Sequence, residues 1–226
     1  MIPDKFCING REYTVYNIYY DTKNCDIIRH SISGPNFKEK LRLRSYTPTD
    51  DPDANVYIEI KKKVNGVVSK RRAGISLLES QRLIDSGIIP NTDGYINRQV
   101  LNEISYYLKV NKVMPSVFIR YDRCALFGRD NPEFRITFDR NIMARRDNLS
   151  LIPSKNDYKV IDDNMYVMEI KIQGAVPYEL SHLLSELGIY SHSFSKYGQE
   201  FKNYVSPDII TPLFEPTNIK SAAINF

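Results

Sequence analysis

The chain has 226 residues, 42% of them hydrophobic, and a net charge of +4 at pH 7. That supplies a core for one large domain or two small ones, and the mild basic excess permits a polyanionic partner without demanding one. Three scattered cysteines (Cys7, Cys25, Cys124) without a C-x-x-C, and three histidines (His30, His182, His192) without an H-x-x-x-H, argue against a disulfide framework and a Cys/His metal site. The N-terminus lacks the apolar segment of a signal peptide, and no apolar run nears the roughly 20 residues that span a bilayer, so a cytoplasmic protein is expected.

Residues 1–12 read as a short irregular segment. Tyr13 to Tyr20, rich in β-branched and aromatic residues, predicts a strand that stops at Asp21-Thr22-Lys23-Asn24. Residues 25–37 predict a loop or short helical turn, broken at Gly34-Pro35. Lys38 to Tyr46 alternates, with Leu41 and Leu43 on one face and Lys40, Arg42, Arg44 and Tyr46 on the other. Val56 to Val64 repeats the pattern: Val56, Ile58 and Ile60 oppose Tyr57, Glu59, Lys61 and Lys63. Asn65-Gly66 then predicts a tight hairpin, because both residues accept positive φ, and the return strand ends in Lys70-Arg71-Arg72.

Helical spacing takes over at Ser76 to Ser86, where Ser76 and Glu79 form a capping box and Gly87 a stop. Gln99 to Leu108 predicts a second helix with Val100, Leu101, Ile104 and Leu108 as its apolar stripe. Val117 to Arg123 and Phe134 to Phe138 return to strand periodicity, and Asn141 to Lys155 reads as a loop or short strand. In Tyr166 to Gln173, Met168, Ile170 and Ile172 oppose Val167, Glu169, Lys171 and Gln173. A helix is predicted from Pro177 through Leu187, closed by Gly188, and a helical piece around Gln199 to Tyr204. The tail over 207–226 reads as irregular, and the whole chain, 1–226, as one domain.

Across these strands the polar faces carry Arg42, Arg44, Lys61, Lys63, Arg123, Arg135 and Lys171, joined by Lys196, against only Glu59, Asp139 and Glu169. Two architectures fit. An antiparallel sheet can pack its apolar face on helices and show the charged face to water, where nucleic acid could bind. Alternatively the sheet closes into a barrel with a charged lumen, which needs an anionic ligand to offset its repulsion. Several phosphates in a row would suit the arginine forks and lysine point charges, with a divalent cation on the few carboxylates.

The ordered series Tyr19-Tyr20-Asp21-Thr22, Leu41-Arg42-Leu43-Arg44, Ile58-Glu59-Ile60-Lys61, Tyr121-Asp122-Arg123, Phe134-Arg135-Ile136-Thr137-Phe138-Asp139, Met168-Glu169-Ile170-Lys171 and Phe194-Ser195-Lys196-Tyr197 resembles the VTC-type polyphosphate polymerase domain. That family is a branch of the triphosphate tunnel metalloenzyme (CYTH-like) superfamily, and the resemblance runs from about Tyr13 to about Tyr204. It implies an α+β fold, an antiparallel β-barrel or tunnel with a charged lumen and flanking helices. It implies a stand-alone bacterial member that transfers the γ-phosphate of ATP to a growing polyphosphate chain with Mn²⁺ or Mg²⁺. Triphosphatase activity, or non-catalytic binding of polyphosphate or nucleotide, are the alternatives; nucleic acid is not expected as a partner.

Carried over by position, the resemblance implies phosphate-gripping roles for Arg42, Arg44, Lys61, Arg123, Arg135 and Lys196. Substrate contacts fall to Lys63, Tyr121, Lys171 and Ser195, the metal to Glu169 with Glu59 as either metal ligand or partner of a cation, and Asp139 to the structural support of an arginine. Members of the family begin with a helix–strand segment bearing a further basic residue. Only residues 1–12 precede Tyr13 here, so a tunnel lacking that segment, and opened by it, is expected.

Overall fold

The computed structural model describes residues 1–7, 12–92, 94–205 and 221–224. In chain order the elements are β1 (Ile2–Pro3), β2 (Tyr13–Asp21), α1 (Asp26–Ile32), β3 (Phe37–Ser45), β4 (Asn55–Val64), β5 (Val67–Ser76), α2 (Leu77–Ser86), α3 (Tyr95–Asn111) and β6 (Met114–Phe127). They continue with β7 (Arg135–Arg145), β8 (Tyr158–Lys159), β9 (Val167–Lys171), α4 (Tyr178–Glu186), β10 (Tyr190–Ser191), α5 (Lys196–Tyr204) and β11 (Ser221–Ile224). This is the α+β class expected, dominated by antiparallel pairs. Among the described residues no helix is long and apolar enough to cross a membrane.

The chain divides into two compact units. One holds 15–120 and 144–158. Its sheet runs β2-β3-β4-β5, antiparallel throughout. Asn65 and Gly66, with φ of 47° and 90°, close the β4–β5 hairpin as their sequence demands. Leu41, Leu43, Val56, Ile58, Ile60, Ala73 and Ile75 form the buried face, packed on Leu77 and Leu83 of α2 and on Val100, Leu101, Ile104 and Tyr107 of α3. Ser76 accepts from the Glu79 amide and Glu79 accepts from the Ser76 amide, so the capping box sets where β5 turns into α2.

The other unit holds 1–14, 121–143 and 159–226. Its strands follow the order β10-β11-β9-β7-β6, with β1 paired to β6. The β7–β9 pair is antiparallel, with Arg135 opposite Lys171, Thr137 opposite Glu169 and Asp139 opposite Val167. Ile136, Met168 and Ile170 point to the other face and pack on Leu180 and Leu184 of α4.

The outer strands are open among the described residues: β5 has β4 as its one sheet neighbour, and β10 has β11. Two local expectations are corrected and one is narrowed. Residues 1–12 are not wholly irregular, because Ile2–Pro3 pairs with β6. Of the loop or short strand read from Asn141 to Lys155, the start is strand: Asn141 takes a left-handed φ of 49°, and β7 then continues to Arg145 with Ile142 and Ala144 buried. In the tail, Ser221–Ile224 forms a strand beside β9 and β10; 206–220 lies outside the described residues.

Candidate functional site

Two clusters of charge stand on the polar faces, one in each unit.

In the first unit, register alone brings cations together. Lys38 faces Lys63, Lys40 faces Lys61, Lys61 faces Lys70, and Arg42 faces Glu59, which faces Arg72. Like charges directly opposite on a sheet destabilise it, so these rows carry a cost that an anion would relieve. Burial, then the neighbouring Lys38 and Lys61, pushes the Lys40 ammonium down to about 7, with Asp21 opposing the shift. Burial and the arginines likewise bring Lys70 to about 8 despite Glu59.

Glu59 is the counter-charge of this cluster and is itself 1% exposed. Both Nε and Nη2 of Arg42 reach its Oε2, at 2.7 and 2.6 Å. Arg44 Nε lies 4.0 Å from the same oxygen, and Lys70 Nζ 3.8 Å from Oε1. Burial opposes the carboxylate's charge, yet Arg42, Arg44 and Lys70 hold its pKa at about 2. Arg44 is anchored from the other side by the Oδ1 of fully buried Asn17, at 2.9 Å.

In the second unit, Asp139 is 0% exposed and takes Arg123 in a two-pronged pair, 2.6 and 2.8 Å, plus Lys196 at 2.5 Å. Although burial works against the charge, Lys196 and Arg123 keep this carboxyl below its ordinary range. Arg123 and Lys196 both stand over the ring of buried Tyr121, at 5.2 and 4.3 Å from its centroid. Ser195 caps α5 by accepting from the Gly198 amide, which fixes where Lys196 begins the helix.

Beside this pair lies a small cleft lined by Arg123, Arg135, Thr137, Glu169 and Lys171. Arg135 reaches Asp4 and Tyr13 through Nη2 at 3.5 Å each, but its buried Nε has no hydrogen-bond partner, and neither has the buried Thr137 Oγ1. An unmet buried polar group costs about 1–3 kcal/mol, so two in one cleft indicate a place where a polar ligand would be stabilised. Glu169 sits here with Lys171 Nζ 3.4 Å from its Oε1.

Thus Arg42, Arg44, Glu59, Lys61 and Lys63 fall in one unit, and Tyr121, Arg123, Arg135, Glu169, Lys171, Ser195 and Lys196 in the other. Lys38, Lys40 and Lys70 belong with the first group although the sequence reading gave them no role. Their signal was register: each is a cross-strand neighbour of a nominated lysine. Thr137 was missed for the opposite reason, since a threonine on a strand carries no charge to notice.

The two carboxylates proposed for Mn²⁺ or Mg²⁺ differ in fitness. Glu59 spends its charge on Arg42, Arg44 and Lys70, a setting hostile to a further cation. Glu169 lies with Lys171 Nζ 3.4 Å from its Oε1 and opens on the cleft with the unmet Thr137 hydroxyl. Among the described residues no group of three or more acidic, His or Cys side chains is arranged to hold a metal alone. A single carboxylate suits an ion that keeps its waters and arrives bound to phosphate, as Mg²⁺ does.

Comparison with known proteins bears on the family. The model of the VTC domain family matches residues 2–205. Among solved structures the chain is similar to a candidate adenylate cyclase from Bacillus halodurans, at 13% identity, over 85% of this chain and 84% of that one, with a TM-score of 0.49. No curated protein matches it. With nine-tenths of its length covered by that family model, and with the family's charged strand series in place, the chain belongs to the VTC domain family.

Proposed function

We propose that the protein is a metal-dependent polyphosphate polymerase, transferring the γ-phosphate of ATP to the end of a polyphosphate chain. The observation that supports this most is the cleft of Arg123, Arg135, Thr137, Glu169 and Lys171, with its unmet Arg135 Nε and Thr137 Oγ1. Phosphoryl oxygens are the natural acceptors for the first, and the hydroxyl can donate to another.

Phosphoryl transfer is governed by alignment and charge stabilisation rather than covalent help from protein. The bond from γ-phosphorus to its bridging oxygen breaks, ADP leaves with that oxygen, and a terminal oxygen of the chain forms the new P–O bond. Arg123 and Arg135 would bind phosphoryl oxygens as negative charge shifts towards the bridging oxygen. Lys171 and Lys196 would contact the chain beside them. In the other unit Arg42, Arg44, Lys61 and Lys63 would hold phosphate through the rows described above. A divalent ion held by Glu169 would neutralise phosphate charge. The acceptor oxygen is already anionic, so no general base is required, and none of the histidines lines the cleft.

Incubation with ATP and Mn²⁺, followed by a gel stained for polyphosphate, tests the reading. Long chains support it. Free phosphate without chains replaces it with a triphosphatase, and cyclic nucleotide with a cyclase. Tight tripolyphosphate binding without turnover leaves a binding module.

A further inference from the structure

One cavity of the second unit plays no part in the chemistry above. It measures about 290 Å³ and lies wholly in the second unit, between the 160–167 stretch and α5. Tyr166 and Phe194 bring aromatic rings to it, Met165 and Val167 add apolar walls, and Gln199 and Asn203 supply amides.

Its position ties it to the phosphate cleft twice. Val167, which lines the cavity, shares a face of β9 with Glu169 and Lys171, which line the cleft. The separation is two to four residues, about 7–13 Å along a strand. On α5, Lys196, Gln199 and Asn203 follow at i, i+3 and i+7 and so share one helical face. Lys196 opens that face at Asp139, while Gln199 and Asn203 end it in the cavity.

The amides are set in order. Gln199 Nε2 donates to Asn203 Oδ1 at 2.8 Å, and Asn203 Nδ2 donates to the Val160 carbonyl at 3.0 Å. This chain uses both Asn203 groups and leaves Gln199 Oε1 as the amide acceptor for a ligand's amino group. Aromatic rings, a polarizable thioether and an oriented amide acceptor, beside Asp162 and His192 in the same lining, are the equipment that holds a flat heterocycle bearing an exocyclic amine.

We infer that this cavity is the base site of the phosphoryl donor, taking the adenine of ATP while the triphosphate runs along β9 towards Glu169 and Lys171. The inference rests on the proposed function for its phosphate half only; the cavity itself is tested without phosphate.

Phe194→Ala and the more exposed Tyr166→Ala are compared with the parent protein by calorimetry with ATP and with tripolyphosphate. Stacking loss predicts that ATP binding weakens about tenfold in at least one variant while tripolyphosphate binding is unchanged, which also reports that the variant is folded. Unchanged ATP affinity in both variants overturns the inference. So does an equal loss for ATP and tripolyphosphate. Adenosine alone, followed by saturation-transfer NMR, separates the two readings. If the parent binds adenosine through Phe194 and Tyr166 but not tripolyphosphate, the base site stands and the polymerase reading falls. If it binds tripolyphosphate but adenosine gives no signal, the reverse holds.

Discussion

Lys40 and Lys61 stand directly opposite each other on adjacent antiparallel strands, and Lys70 faces Lys61 from the next. Nothing in strand formation asks for three ammonium groups in a row. The arrangement raises the energy of the ligand-free sheet. Burial first, and then the like charges of Lys38 and Lys61, lower the Lys40 pKa to about 7.

That pKa predicts proton-linked anion binding. At pH 8 most Lys40 is neutral in the free protein. A bound polyanion favours the charged form, so Lys40 takes up a proton on binding. Calorimetry of tripolyphosphate binding at pH 8, in buffers of different ionisation enthalpy, is expected to show uptake of about one to one and a half protons, with Lys70 adding to Lys40, falling towards zero at pH 6. Lys40→Met removes most of it. The same shift sets a stability trend: a lysine with a depressed folded pKa penalises the folded state fully below about pH 7, and the penalty fades as pH rises towards the unfolded value near 10.4. Uptake that persists unchanged in Lys40→Met would refute the assignment.

Asp139 carries a prediction of opposite sign. Its carboxyl lies below the ordinary range because Lys196 and Arg123 outweigh burial. The stabilisation is therefore complete above the unfolded pKa of about 3.9 and is lost as pH falls through the lower folded value. Asp139→Asn leaves two buried cations without their charge partner and is expected to cost about 3–5 kcal/mol in urea unfolding at pH 7. The variant also loses part of the acid sensitivity. A cost below about 1 kcal/mol would mean that the triad contributes little to folding.

The strands were legible because charge and apolar residues alternate with a period of two, and because Asn65-Gly66 and the Ser76–Glu79 box mark their ends. What escaped depended on tertiary partners. β5 runs on past Arg72 because Ala73 and Ile75 are buried against the helices, a fact about α2 and α3. α3 starts at Tyr95 rather than Gln99, in a first turn with 76% exposed Tyr95 and 71% exposed Ile96 that no core stripe could announce. The charged faces were visible residue by residue, and so was an arginine partner for Asp139, whereas its contact with Lys196 depends on α5 returning to β7.

Arg145 shows the same limit, in a stretch that reads as a loop or short strand and where it closes β7. Its guanidinium is 2% exposed, pairs with Asp157 at 2.6 Å and donates to the carbonyls of Asp147, Asn148, Ser150 and Ile152. Arg120 completes the Asp157 pair at 3.1 Å. This cation holds the backbone of 147–152. Arg145→Met is expected to lower stability by about 3–5 kcal/mol, read by thermal unfolding, and to leave tripolyphosphate affinity of the folded protein unchanged. Weakened affinity at intact stability would place Arg145 among the binding cations instead.

The two candidate metal carboxylates give the sharpest contrast. Glu169→Gln keeps the shape of the side chain and removes its charge from the cleft, so the Mn²⁺ concentration needed for half-maximal turnover is expected to rise at least tenfold. Glu59→Gln leaves Arg42, Arg44 and Lys70 around a neutral amide. Its predicted signature is a stability loss of about 3 kcal/mol, an unchanged Mn²⁺ requirement, and tighter tripolyphosphate binding at low salt because three cations lose their internal counter-charge. Metal titration of activity beside urea unfolding measures both variants. If Glu59→Gln shifts the Mn²⁺ requirement and Glu169→Gln does not, the ion belongs to Glu59, and the cationic setting of that carboxylate has been misjudged.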